Sequence, residues 1–183
     1  MRQLAWLATA TLLFCTLVAF NGWPALRDLA SNREWRAQQV QSGAGSLKGL
    51  HITVTEQAAA IAEPRPERAA VHVRLQIRVT PEARDAWKDC RVSLRDPHGR
   101  VWMPLASANT DGAIKMLSSD GRNFGPCSLY RRDEQAGEET IQADQLFLMP
   151  SDGLQGLRLY VSGVGTRPDA LSFAIEPAIR RLR

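Results

Sequence analysis

Between Val71 and Thr80 (VHVRLQIRVT) apolar and polar residues alternate without a break, and this run restricts the possible folds more than any other feature of the chain. Val71, Val73, Leu75, Ile77 and Val79 fall on one side at a period of two, and His72, Arg74, Gln76, Arg78 and Thr80 fall on the other. A helix would scatter these residues around its circumference, whereas a strand with one buried face separates them. Shorter runs repeat the pattern. Ile52 and Val54 alternate within 50–55, and Trp87–Arg95 (WKDCRVSLR) places Cys90, Val92 and Leu94 on one face. Asp96-Pro97-His98-Gly99 has the residue types of a tight turn, closing a hairpin into Val101–Leu105. The polar stretch 106–122 reads as a loop with a short strand at Ile114–Leu117, and 134–139 as another loop. Residues 142–149, 157–161 and 171–175 supply the last strands. Short strands at regular turns, with no helical period among them, predict an all-β, antiparallel sandwich.

The turn at 96–99 is followed by Trp102, and later come Phe147-Leu148-Met149-Pro150 and Gly156-Leu157-Arg158-Leu159-Tyr160. That order resembles a broad group of uncharacterised bacterial immunoglobulin-like domains tethered outside the membrane. The resemblance covers roughly Leu50 to Glu176. It implies an immunoglobulin-like fold and no particular reaction. The insertion around 106–125 departs from the compact pattern of that group.

A second feature sets the compartment. Leu4–Phe20 (LAWLATATLLFCTLVAF) carries no charge. Its length as a helix is about 25 Å, and extension to Leu26 makes it long enough for the ~30 Å of a hydrocarbon core. Trp6 and Trp23 then fall near the two interfaces, where indole rings prefer to sit. A cleaved signal peptide is the competing reading. It needs small residues at −3 and −1 of the cut, and Leu17, Phe20, Asn21 and Trp23 spoil the available registers. Cys15 follows Phe14, which does not suit a lipoprotein signal. Residues 1–26 therefore read as an uncleaved transmembrane signal anchor. Residues 27–48 read as a juxtamembrane helix with the flexible linker Ser42–Ser46 (SGAGS), 49–178 as the β-sandwich domain, and 179–183 as a solvated basic tail. Arg2 lies before the span, and Arg27, Arg33 and Arg36 follow it, so local charge alone would hold the domain inside. The short N-terminal tail and the cysteines argue the other way. The expected topology is single-pass in the cytoplasmic membrane, N-terminus in, with the domain in the periplasm or outside.

Cys90 and Cys127 are the two cysteines beyond the span and form a disulfide candidate, as expected in an oxidising compartment. His51, His72 and His98 are scattered, so no metal site is expected, and Met103, Met116 and Met149 read as filler rather than copper ligands. Ser162 lacks the glycine two places before it that a nucleophile elbow requires, and Gly43-Ala44-Gly45 lacks the Lys-Ser/Thr of a phosphate loop. No catalytic residue and no cofactor is expected. If the strands at 71–80 and 87–95 are neighbours, Arg74, Arg78, Arg91 and Arg95 share an outward basic face suited to an acidic partner. The alternative is a solvated face whose charges pair locally. The resulting expectation is an envelope-associated interaction module without catalysis, bound to the membrane through Leu4–Leu26, with a protein or envelope-component partner and no nucleic acid. An accessory subunit of a larger membrane complex is the alternative, and a sandwich-fold enzyme a third reading.

Overall fold

A computed structural model of the chain describes residues 2–31, 34, 36–41, 43–84, 87, 90–106, 110–127 and 139–182. The alternating run becomes β4 (Arg68–Val79), flanked by β3 (Leu50–Ala62) and β7 (Glu139–Pro150) in antiparallel register. Its five inward residues are each 1% exposed or less. With β10 (Ala178–Leu182) they form a sheet of order β10-β3-β4-β7, to which β2 (Ala44–Leu47) adds by pairing with β3. The facing sheet has the order β1-β9-β8-β5-β6, from β1 (Arg36–Val40), β5 (Arg91–Arg95), β6 (Val101–Trp102), β8 (Leu157–Ser162) and β9 (Asp169–Ile175). The inward side chains of both sheets meet in one cluster, in which Val73, Leu75 and Phe147 face Leu94, Leu159 and Phe173. The β-sandwich architecture expected from the alternation is present. Most pairs are antiparallel, but β1 runs parallel to β9 and β10 parallel to β3.

Both ends of the sandwich differ from expectation. The juxtamembrane helix and linker assigned to 27–48 give way to the end of a helix α1 (Arg2–Ser31) and to the two strands β1 and β2. The SGAGS stretch looks flexible by composition, yet Gly45 is there for packing. A Cβ on Gly45 would stand 2.7 Å from Val40 Cγ2 and 3.3 Å from Leu171 Cδ2. Composition cannot distinguish a mobile glycine from one that lets two strands approach. Glu34, immediately before β1, is fixed as well: its carboxylate accepts from Ser162 Oγ at 2.6 Å and from Arg95 Nη2 at 2.5 Å. At the other end, 179–182 of the expected basic tail pair with β3 as most of β10, and Glu63 N donates to Leu182 O at 2.9 Å.

Three internal expectations also shift. Ile114–Leu117 is part of a helix, α2 (Asp111–Leu117), because Ile114 and Leu117, three apart, bury one helical face. The strand at 87–95 starts only at Arg91, and Trp87 precedes it, fully buried. The strand at 101–105 stops after Trp102; Pro104 has no N–H to give, and Leu105 N donates instead to Leu146 O on the other sheet at 2.8 Å.

Gly45→Val is expected to destabilise the domain by about 1–3 kcal/mol through overpacking. Denaturant unfolding reads this directly, and an unchanged midpoint would mean that 42–46 is a linker after all.

Candidate functional site

His72 and Arg74 occupy outward positions on β4, where a solvent-facing row would be expected, yet they are 0% and 5% exposed. Their cover is α2 and the chain after it. Ile114 and Leu117 pack on Ala58, Ala60 and Leu146 of the outer sheet face. Residues 118–125 then cross the sheet and are hydrogen-bonded to its strands β3 and β7. Ser119 N donates to Glu56 Oε1 at 2.5 Å, Phe124 N donates to Asp144 Oδ2 at 2.7 Å, and Asp144 N donates to Gly125 O at 2.8 Å.

Arg74 is the hub of this arrangement. Its Nε donates to Asp144 Oδ1 at 2.8 Å and its Nη1 to Asp120 Oδ1 at 3.0 Å. Nη1 also lies 3.1 Å from Glu56 Oε2, and Nη2 donates to Arg122 O at 3.0 Å. The ring of Phe124 lies 4.8 Å from the guanidinium carbon. His72 Nε2 sits 2.8 Å from the same Asp144 Oδ1. Burial works to raise the Asp144 carboxyl, but hydrogen bonds with His72, Arg74 and the Phe124 amide outweigh it and hold that carboxyl below the ordinary range. Burial works to lower Arg74, and its bonds to Asp144 and Asp120 outweigh that and raise it. Asp120 is held low first by the Arg122 amide and, against burial, also by Arg74. Both oxygens of Asp144 are committed, so this carboxylate is placed to hold the covering segment down rather than to accept a substrate proton.

The expected basic face does not assemble. Strands β4 and β5 belong to different sheets, so Arg74 and Arg78 are separated from Arg91 and Arg95. Arg74 is buried among three carboxylates, and Arg95 holds Glu34 while its guanidinium carbon lies 3.9 Å from the centroid of the Tyr160 ring. Arg78 and Arg91 are the exposed pair, one on each sheet. The histidines are not brought together either. His51 meets Ser46 Oγ at 2.8 Å, His72 is enclosed with Asp144, and His98 stands exposed in the β5–β6 turn. Among the described residues no group of three or more His, Cys, Asp or Glu could hold a metal ion.

The cysteine pairing is present: Cys90 and Cys127 are bonded, with their Cα atoms 5.7 Å apart. Beside the bridge lies a cavity of about 630 Å³ between β5, the stretch after β6, α2 and β7. Val92, Met103, Leu105 and Ile114 contribute apolar walls. Gln145, 4% exposed, also lines it, and its Nε2 has no hydrogen-bond partner among the described residues. Leaving such a donor unmet in a protein interior costs about 1–3 kcal/mol. Sequence reading missed Glu34, Glu56, Asp120, Asp144 and Gln145. Asp144 lies directly opposite Arg74 in the β4–β7 register, a pairing visible only once the strands are aligned.

No family model matches this chain, and no curated protein is significantly similar to it. One solved structure is similar in outline: a Staphylococcus aureus (subsp. aureus NCTC 8325) protein described as a "putative lipoprotein", at 12% identity and a TM-score of 0.43, covering 79% of this chain and 97% of that one. A likeness at that level carries no argument about role.

Asp144→Asn is expected to cost about 1.5–3 kcal/mol, because it removes the charge that Arg74 Nε, His72 and the Phe124 amide share while Asp120 and Glu56 stay beside Arg74, whereas a paired Arg74→Met, Asp144→Leu change costs less. The depressed Asp144 carboxyl stabilises the fold fully above its unfolded value of about 3.9. That contribution is lost as pH falls from there through the lower folded value. Urea unfolding between neutral pH and pH ~2 should therefore show an acid decline that is flatter in the paired variant. An equal decline in both would place the acid sensitivity elsewhere.

Proposed function

We propose that this chain is a membrane-anchored, extracytoplasmic binding or interaction module of the bacterial envelope, with an immunoglobulin-like sandwich and no catalysis. The observation that carries this reading is the outward display of large apolar side chains along α1 (Arg2–Ser31). Trp6, Leu12, Phe14 and Phe20 are 73%, 71%, 69% and 78% exposed. Each such side chain left in water forgoes about 1.5–3 kcal/mol, which lipid would restore. Thr11 and Thr16 donate to Leu7 O at 2.9 Å and Leu12 O at 2.7 Å, so their hydroxyls are satisfied within the helix, as hydrocarbon surroundings demand.

Taken over the described residues alone, no helix is long and apolar enough to cross a membrane. The unbroken stretch of α1 side chains so described is 9–20. The sequence supplies the remainder: Leu4–Leu26 contains no charge, and as a helix it extends about 35 Å against a hydrocarbon core of about 30 Å. A span over those residues with the N-terminus in the cytoplasm puts the sandwich outside, where the Cys90–Cys127 bridge suits an oxidising medium. Arg36, which counted against this orientation, pairs with Asp169 at 2.9 Å on the domain surface.

The immunoglobulin-like reading is supported by the order β1-β9-β8-β5-β6 opposite β3-β4-β7. The disulfide differs from the B–F bridge that crosses the sheets of antibody domains. Here it joins the residue just before β5 to the segment after α2, so the likeness lies in strand order. The partner is a protein or envelope component.

A reporter fused after Arg183 is expected to be active only outside the cytoplasm, with Cys90 and Cys127 open to thiol reagents only after reduction. A cytoplasmic reporter signal would overturn the topology. Exchanging Leu4–Phe20 for an unrelated apolar span is expected to leave partner recovery from membranes intact. Loss of recovery would move recognition into the helix, as an accessory subunit of a membrane complex requires.

A further inference from the structure

Several polar side chains border the cavity beside the disulfide, and their hydrogen bonds decide what it can hold. Asp144 accepts from Arg74 and the Phe124 amide and meets His72, so both of its oxygens are taken. Asn123 donates to Asp111 Oδ1 and accepts from Gly125 N, each at 2.9 Å. Thr110, Arg91 and Arg167 have partners too, and Arg167 Nε reaches Ser162 Oγ at 3.5 Å. Every charged group among the described lining residues is thus already engaged within the chain.

Gln145 is the exception. It occupies an inward position of β7 between Ala143 and Phe147, where every other described inward side chain of that strand is apolar. Its Nε2 has no partner among the described residues, and an unmet amide N–H is out of place in a sandwich core. The last torsion of a glutamine is soft, so the amide can turn toward a molecule in the cavity that Gln145 borders. Val92, Met103, Leu105 and Ile114 make the apolar part of the wall. A volume of about 630 Å³ lies within the range of small-molecule sites.

We infer that this cavity binds a neutral, largely apolar small molecule that presents one hydrogen-bond acceptor, a carbonyl oxygen, to Gln145. The body of the molecule lies against Val92, Met103, Leu105 and Ile114. A carboxylate of similar shape is disfavoured, because it would give up its hydration and find no uncommitted cation in return. The site goes beyond the interaction role proposed above, and depends neither on which side of a membrane the domain faces nor on a protein partner.

The test uses the full chain in detergent and titrates it with 4-phenylbutan-2-one by calorimetry, with 3-phenylpropanoate as the anionic comparator. Uptake by micelles does not saturate and draws off the ketone more than the acid, so it cannot imitate a preference for the ketone. The expected result is saturable binding of the ketone at least about tenfold tighter than the acid. Gln145→Leu, which removes the amide and keeps the bulk, should weaken the ketone about fivefold while leaving the unfolding midpoint unchanged or raised. Met103→Trp and Leu105→Trp, at side chains 47% and 43% exposed, should weaken it by filling the space. The inference is overturned if the ketone shows no saturable binding up to roughly 10 mM, or if the acid binds as tightly. It is equally overturned if Gln145→Leu leaves the ketone affinity unchanged, or if neither tryptophan variant lowers it.

Discussion

Arg74 and Asp144 face each other across the β4–β7 register, on the outer side of a sheet whose inner side is apolar but for Gln145. Alone on that face, the pair would be an exposed cross-strand contact contributing a fraction of a kilocalorie. The segment 118–125 changes its standing. By donating Phe124 N to Asp144 and presenting Asp120 and the Arg122 carbonyl to Arg74, that segment removes the pair from water and becomes attached to it. The charges hold the cover and the cover buries the charges. Ile114 and Leu117 would otherwise have only a small apolar patch on which to rest α2. The cavity depends on the same arrangement, since α2, Asn123 and Gly125 form part of its wall.

This dependence explains what could be read in the sequence and what could not. Period-two alternation at 71–79 reports a buried face directly, and all five residues are buried. The cysteines were readable because only two lie outside the apolar N-terminal run, and those two are the bonded pair. The outward residues of β4 were not. Alternation identifies a second face but is silent on whether a later segment folds over it, so Arg74 looked like a member of a basic surface. Sheet membership was equally hidden: 71–80 and 87–95 are close in sequence, yet the chain crosses between sheets at 80–90.

The ends were misread for a different reason. Gly43–Gly45 and Arg180-Arg181 have compositions shared by flexible or solvated segments, and only tertiary contact distinguishes them. Gly45 is small because Val40 and Leu171 press against it. The arginines of β10 lie in a parallel pairing with β3, where backbone bonds decide the conformation and the side chains follow. Parallel strands at both chain ends are held by residues far away in sequence, which a local reading cannot reach.

The early fixation of Glu34 limits how far the domain can travel. Two residues separate the end of α1 at Ser31 from Glu34, which Arg95 and Ser162 hold. Three steps of extended chain cover at most about 10 Å. A tether of twenty residues would let the sandwich sample a hemisphere tens of ångströms in radius. Were α1 seated in a bilayer, as the proposed anchoring requires, this one would work on a short leash and meet only what comes to the membrane surface.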